Sequence, residues 1–210
     1  MVRTLLEAGL STESVDSVGW KPLHNACYLG YLEIVKLLVT HGANLTARNE
    51  DRFSASCLHM AAIGNHLEIV KYFLSLGVPV DITNGFGETS LGGAAWYGRY
   101  NITQFLISSG ADVNIHSIRG DLRIPLHAAA YQGHPHIVAL LLENGANIES
   151  LDKDSETPLH WAVWGTSLEA VKVLVKHGAN VHAKSNFGKT PKDIAAIKGF
   201  SEIVQFLELQ

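Results

Sequence analysis

Apolar residues in this chain fall into paired stripes of helical spacing, and the pair repeats along its length. In the stretch 157–189, Leu159, Ala162 and Val163 share one face of a short helix, and Leu168, Val171, Leu174 and Val175 share one face of a second. Thr157 offers an N-cap oxygen, and Pro158 takes the first helical position, where its missing amide proton costs nothing. Gly165 stops the first helix, and Thr166 or Ser167 restarts the chain. His177-Gly178 ends the second, because glycine adopts the left-handed conformation that closes a helix. The polar tail from Ala179 is extended and turns back at Asn186-Phe187-Gly188, which predicts a hairpin-like finger.

The same pair recurs behind a short signature: KPLH at 21–24, CLH at 57–59, SLG at 90–92, IPLH at 124–127, TPLH at 157–160 and TPKD at 190–193, spaced 35, 33, 35, 33 and 33 residues apart. A period near 33 predicts stacked helical units, a solenoid. From the signature leucine to the closing glycine is 19 residues in five copies (Leu23–Gly42 to Leu159–Gly178), so the helices keep their length. The fingers vary: Gly77–Leu91 and Gly145–Leu159 span 14 residues, while Gly42–Leu58 and Gly110–Leu126 span 16. The extra residues fall around 50–55 and 119–123, where exposed backbone tolerates insertion and binding residues collect. Residues 1–210 thus read as one domain: a half unit at 1–16, full units at about 17–51, 52–84, 85–119, 120–152 and 153–185, and a terminal unit at 186–210. An opening half unit reads either as a piece of a longer solenoid or as a minimal cap.

The TPLH of 157–160, the pair Gly133-His134 and the run Gly110-Ala111-Asp112-Val113-Asn114 are wording of the ankyrin repeat family, which essentially the whole chain resembles. The resemblance implies an all-α solenoid of helix-turn-helix units with β-hairpin-like fingers, and protein binding in place of catalysis. It also implies that the signature histidines hydrogen-bond between neighbouring units, and that the context of Asn114 resembles an asparagine-hydroxylation site. Departures are local. Gly92 replaces the signature His in the third copy, and with Gly93 leaves two readings open, a loose helix start or close packing. Asp193 and Lys192 in the last copy fit an end unit that faces water.

Charge and chemistry narrow the function. With 16 basic and 20 acidic residues interspersed, net charge -4, no surface tracks phosphates, so no nucleic acid is expected. No apolar run approaches the roughly 20 residues of a membrane helix, and the N-terminus is too short and too soon acidic for a signal peptide; no direct membrane contact is expected, and the location reads as cytoplasmic, with the nucleus a second possibility. Cys27 and Cys57 read as small reduced side chains without a disulfide. Of 11 histidines, His24, His59, His127 and His160 recur once per unit, and His134 and His136 lack a ligand set around them, so no metal or cofactor is expected. Glu33, Glu68, Glu169 and Glu202 recur at the starts of second helices, where they favour the positive helix end. With no nucleophile elbow, phosphate loop or zinc-protease pair, no catalytic residue is expected.

What the repeat leaves free is a ladder four places after the signature His: Tyr28, Ile63, Trp96, Tyr131, Trp164 and Ile197, with Tyr97 beside it. In ankyrin repeats this position points to the concave surface. Large apolar residues at a free position mark either an interface or packing between units, and the interface reading is preferred. Fingers add Phe86, Arg119 and Arg123, whose guanidinium groups suit a carboxylate. Trp161, one place after the signature His, reads as core. The partner-binding set is therefore Tyr28, Ile63, Phe86, Trp96, Tyr97, Arg119, Arg123, Tyr131 and Trp164, on a chain that is monomeric alone and takes a peptide or folded domain of another protein. Two alternatives stand beside it: the substrate-recognition part of a ubiquitin ligase or similar assembly, and a spacer or regulatory block of a larger channel or enzyme.

Overall fold

The computed structural model describes residues 2–118 and 121–210; the Arg119 expectation lies outside them. The described residues form two compact units, Met1–Ser90 and Leu91–Gln210. The first holds α1 (Val2–Glu7), α2 (Pro22–Leu29), α3 (Leu32–Thr40), α4 (Cys57–Ile63) and α5 (Leu67–Ser75). The second takes in α6 (Ser90–Trp96) from Leu91 on, then α7 (Tyr100–Ser108), α8 (Pro125–Tyr131), α9 (Pro135–Glu143), α10 (Pro158–Trp164), α11 (Leu168–Lys176), α12 (Pro191–Lys198) and α13 (Ser201–Glu208). The chain is all-α: among the described residues the fingers carry only isolated antiparallel bridges, Arg48 with Ser56 and Thr83 with Thr89.

Helices of seven to nine residues, such as α8 and α9, are too short to persist alone in water, so stacking must hold them. First helices stack on first helices (α2 on α4, α8 on α10 on α12) and second on second (α3 on α5, α7 on α9 on α11 on α13). Small residues let the first helices approach closely: Ala129, Ala130, Ala162 and Val163 are fully buried beside Leu126 and Leu159. Each such leucine contributes about 1.5–3 kcal/mol by leaving water. Gly92 and Gly93 lie buried within α6, so the third copy does form its helix. The closing glycines are left-handed, as at Gly145 (φ +85°) and Gly178 (φ +90°).

The signature histidines tie each helix to the finger that follows. His24, His59, His127 and His160 place Nε2 against the carbonyls of Ala47, Glu88, Glu156 and Lys189, at 3.1, 2.9, 3.2 and 3.1 Å. Their Nδ1 accepts the backbone N–H of the N-cap residue, as from Thr157 at 3.1 Å. One expectation changes here. Thr157 does not cap α10 with its own oxygen; its hydroxyl lies 2.9 Å from His160 Nδ1, and the imidazole takes over the capping of the Thr157 N–H. Where Asp193 replaces His, an ordinary capping box returns: Thr190 Oγ1 accepts from Asp193 N (3.2 Å) and Asp193 Oδ2 from Thr190 N (2.9 Å).

Fingers are stitched to one another by single backbone bonds. Glu50 N donates to Gly19 O and Gly85 N to Phe53 O in the first unit; Lys153 N donates to Asp121 O and Asn186 N to Asp154 O in the second. Asn114 belongs to this stitching: its Nδ2 donates to Gly145 O (3.0 Å) and its Oδ1 accepts from Asn147 N (2.8 Å). Cys27 and Cys57 are free thiols, both fully buried.

Candidate functional site

In the second unit four first helices end on one row of side chains: Trp96 closes α6, Tyr131 closes α8, Trp164 closes α10, and Ile197 and Lys198 close α12. The row is set by the repeat: buried Leu and His fix α8 and α10, Leu91 with Gly92 stands at these positions in α6 and Asp193 caps α12, and the last residues of each helix are left at the rim. Tyr131 and Trp164 are 38% and 37% exposed, and Trp96 is half-buried. Trp96 and Tyr131 stack at 5.6 Å with an interplanar angle of 15°, and Tyr131 meets the edge of Trp161 at 5.6 Å and 69°. Trp161 is buried, as its sequence position suggests, and its ring also meets that of His127. Aromatic pairs at such distances add about 0.5–1.5 kcal/mol beyond burial. Part of the ladder thus packs on itself, while Tyr131 and Trp164 keep more than a third of their surface exposed.

The fingers bring charge to this row. The Arg123 guanidinium lies 4.7 Å from the Trp96 ring centre, with Asp121 beside it at 3.5 Å, and Asp121 also pairs with Lys153 at 3.1 Å. Arg123 is therefore placed on an indole face, held by its own finger, in place of the free carboxylate clamp its sequence position suggests. On the next finger two buried carboxylates each serve an indole. Asp152 Oδ2 accepts from Trp161 Nε1 (2.8 Å), while its Oδ1 accepts the N–H groups of Asp154 and Glu156. Glu156 accepts the Trp164 Nε1–H on both oxygens, at 3.0 and 2.9 Å. Burial pushes the Glu156 carboxyl above the usual carboxylate range; the Trp164 N–H opposes this, and Asp152 and Asp154 add to it. The Lys198 ammonium sits 4.9 Å from the Trp164 ring centre.

Other candidates fall elsewhere. Tyr97 is exposed, with the Arg99 guanidinium 6.0 Å from its ring. In the first unit Tyr28 is exposed and meets Trp20 edge-on at 5.5 Å, and Trp20 Nε1 donates to Asp51 (2.9 Å), the same indole-to-finger carboxylate device. Ile63 is half-buried at the end of α4. Phe86 packs on Phe53 at 5.7 Å, and Arg52 covers Phe53 at 4.6 Å. An open groove of about 550 Å³ lies at the starts of α7 and α9, lined by Tyr100, His134, Pro135 and Leu140, and none of the partner-binding candidates lines it.

Residue-by-residue reading missed the supports of the row. His134 Nε2 reaches the Trp96 carbonyl at 3.1 Å, and His66 Nε2 reaches the Tyr28 carbonyl at 2.9 Å, so the histidine of a later unit anchors a ladder residue of an earlier one. The Gly133-His134 pair was the available signal for the first; His66 follows Asn65 and carries no such pair. Ser167, which replaces this His, instead caps α11 by accepting from Ala170 N at 3.2 Å.

Helix pairs of fixed length, left-handed closing glycines and imidazole-to-finger bonds recur through both units. Residues 126–208 match the family described as ankyrin repeats (3 copies), and residues 23–74 and 58–107 match ankyrin repeats (many copies). The chain belongs to the ankyrin repeat family. Such repeats are in general non-catalytic modules of protein–protein interaction. This ankyrin repeat chain is 34% identical over 148 residues to ankyrin repeat and SOCS box protein 3 of Bos taurus, covering 70% of the chain and 28% of that protein. It is 32% identical over 156 residues to a transient receptor potential cation channel subfamily A member 1 homolog of Caenorhabditis elegans (59% and 13%). It is 30% identical over 129 residues to the probable 26S proteasome regulatory subunit p28 of Saccharomyces cerevisiae (61% and 56%). The chain therefore spans less than two thirds of the length of each. Among the described residues no helix is long and apolar enough to cross a membrane, and no group of three His, Cys, Asp or Glu side chains is placed to hold a metal ion.

Proposed function

We propose that this ankyrin repeat domain is a recognition module that binds a peptide segment or folded domain of another protein, and that the row Trp96–Tyr131–Trp164 with the fingers at 121–123 and 152–156 is its principal contact surface. The observation that carries this reading is the exposure of Tyr131 and Trp164 on adjacent first helices whose other large apolar residues are buried. Aromatic side chains that keep one face dry and one edge hydrogen-bonded are typical interface anchors. Tyr28 with Ile63, and Phe86 with its finger, supply secondary contacts from the first unit. The protein acts as an adaptor or scaffold, monomeric until its partner binds.

The similarity to an ankyrin repeat and SOCS box protein favours, as a second reading, the substrate-recognition part of a larger assembly; the same surface would then receive the substrate. The similarity to a channel homolog supports a regulatory block as a third. Capture by affinity-tagged protein separates these from a bare spacer. Combined Tyr131→Ala and Trp164→Ala should cut partner recovery at least about tenfold, since truncating a central anchor removes 2 kcal/mol or more. Lys153→Ala, an exposed cation in a surface pair, should change recovery by less than about threefold. Equal recovery from the double variant and the wild type, with both folded, would leave only the spacer.

A further inference from the structure

Beside the aromatic row, Glu156 is a buried carboxylate whose side chain meets no charged partner among the described residues. It is 9% exposed, its carbonyl is taken by His127, and its carboxylate is met by one side-chain donor, the uncharged Trp164 N–H. Among the described residues Asp152, Asp154 and Glu156 make no ion pair: Lys153, the cation between them on their own finger, pairs instead with Asp121 of the finger before, which also pairs with Arg123. A buried carboxylate without a counter-ion is costly, and a cation brought beside it relieves that cost. The Trp164 ring next to it already holds an ammonium, since the exposed Lys198 lies 4.9 Å from the ring centre. Indole faces attract cations, more strongly as water is excluded. An acidic segment would meet three carboxylates on this finger against one lysine, Lys153, that Asp121 already pairs, and would gain nothing from the ring.

We propose that the surface takes a lysine- or arginine-bearing segment of the partner protein, its cation displacing Lys198 from the Trp164 ring and lying closer to the Glu156 carboxylate at the edge of that ring. This deepens, and rests on, the reading of the second unit as a recognition surface. Lys198 is then an internal competitor: it covers the ring in the free protein and swings into solvent when the partner cation arrives. Its own exposure makes that displacement cheap, and the incoming cation gains the carboxylate in addition to the ring.

The test uses the whole chain, labelled with nitrogen-15, and follows the Trp164 indole N–H resonance (assigned by its disappearance in Trp164→Phe) against three short peptides: alternating serine and lysine, the same with every lysine acetylated, and the same with glutamate for lysine. The lysine peptide should move the resonance saturably, and the other two should not. Glu156→Gln keeps an acceptor for the indole but removes the charge, and should weaken binding about tenfold. Lys198→Ala should tighten it, an effect that a purely structural role for Lys198 would not produce. Glu169→Gln, an exposed acid paired with Lys172, should change nothing. Binding of the acetylated peptide as well as the lysine peptide, equal weakening by Glu169→Gln and Glu156→Gln, or weaker binding by Lys198→Ala would each overturn the proposal. If the lysine peptide fails while the Tyr131 and Trp164 double variant still abolishes partner capture, the cation site falls and the recognition surface stands.

Discussion

Taking the protein from pH 7 to pH 4 is expected to remove about 6 kcal/mol of its unfolding free energy, most of what a domain of ordinary stability possesses. The loss comes from histidines that the repeat buries as neutral bonding groups. Burial pulls His59 and His127 down from the ordinary 6.5 to about 4, against the opposing pull of the carbonyls of Glu88 and Glu156. An unfolded chain protonates these rings as the pH falls through 6.5, whereas the folded chain refuses the proton until about 4. Their contribution is therefore intact above 6.5 and drains away between the two values. Each pKa unit is worth about 1.4 kcal/mol, so each ring costs about 3 kcal/mol by pH 4. His160 shifts in the same direction through burial. His24 does not add to the loss: burial, the largest single influence, pulls it down too, but the hydrogen bond and charge of Cys57 together with the Ala47 carbonyl leave it raised. Urea unfolding at pH 7, 5.5 and 4 reads the slope. In a His59→Gln and His127→Gln double variant, weaker at pH 7, the slope over this window should fall by about two protons. An unchanged slope would place the acid sensitivity elsewhere.

The regular part of this architecture is legible from residue order because it is local. Helix pairs, their lengths and the left-handed turns at Gly145 and Gly178 depend on residues within one unit, and the 33-residue period repeats the same evidence. The imidazole bonds are legible for the same reason, since one position recurs in every copy that keeps His. What could not be read is whatever one unit does to another at a position where copies differ. Glu156 and Trp164 are eight residues apart, yet nothing in either neighbourhood says that the carboxylate turns onto the indole edge. Lys198 reads as an ordinary helix-end cation until α12 stacks on α10 and lays it over Trp164. Arg123 reads as a rim charge until its finger folds it onto Trp96. The ladder position itself was visible, but its division into packed and open faces depends on which neighbour is aromatic, and Trp96 with Tyr131 differs in this from Trp164 with Ile197. Thr157 shows a smaller case: a good capping residue by type yields the task to the imidazole three residues on.

Gly165→Ala is expected to destabilise the second unit by about 3 kcal/mol, more than Gly178→Ala, although residue-level reasoning ranks them the other way. Gly178 holds φ +90°, a conformation that strains any residue with a Cβ, yet a Cβ there would meet no atom within 4 Å. Its substitution costs about 1–2 kcal/mol from the backbone alone. Gly165 has φ -75° and ψ -1°, which alanine adopts freely, so as a helix stop it looks replaceable. Its constraint is space. A Cβ at Gly165 would collide with the backbone carbonyl of Tyr131, with Tyr131 C and Cα only 2.6 and 2.9 Å away. These are main-chain atoms of α8, so no rotamer change relieves the contact and the end of α10 must move off α8. That movement opens a layer in which Ala129, Ala130, Ala162 and Val163 have no exposed surface. Overpacking typically costs about 1–3 kcal/mol, and a collision between two backbones belongs at the upper end. The same displacement shifts Trp164 relative to Tyr131, so partner capture should fall along with stability, whereas Gly178→Ala, at the far end of α11, should lower stability and leave capture intact. Chemical unfolding of the two variants side by side decides the ranking. A Gly165→Ala protein as stable as Gly178→Ala would mean that α8 and α10 do not pack as closely as their shared alanines require.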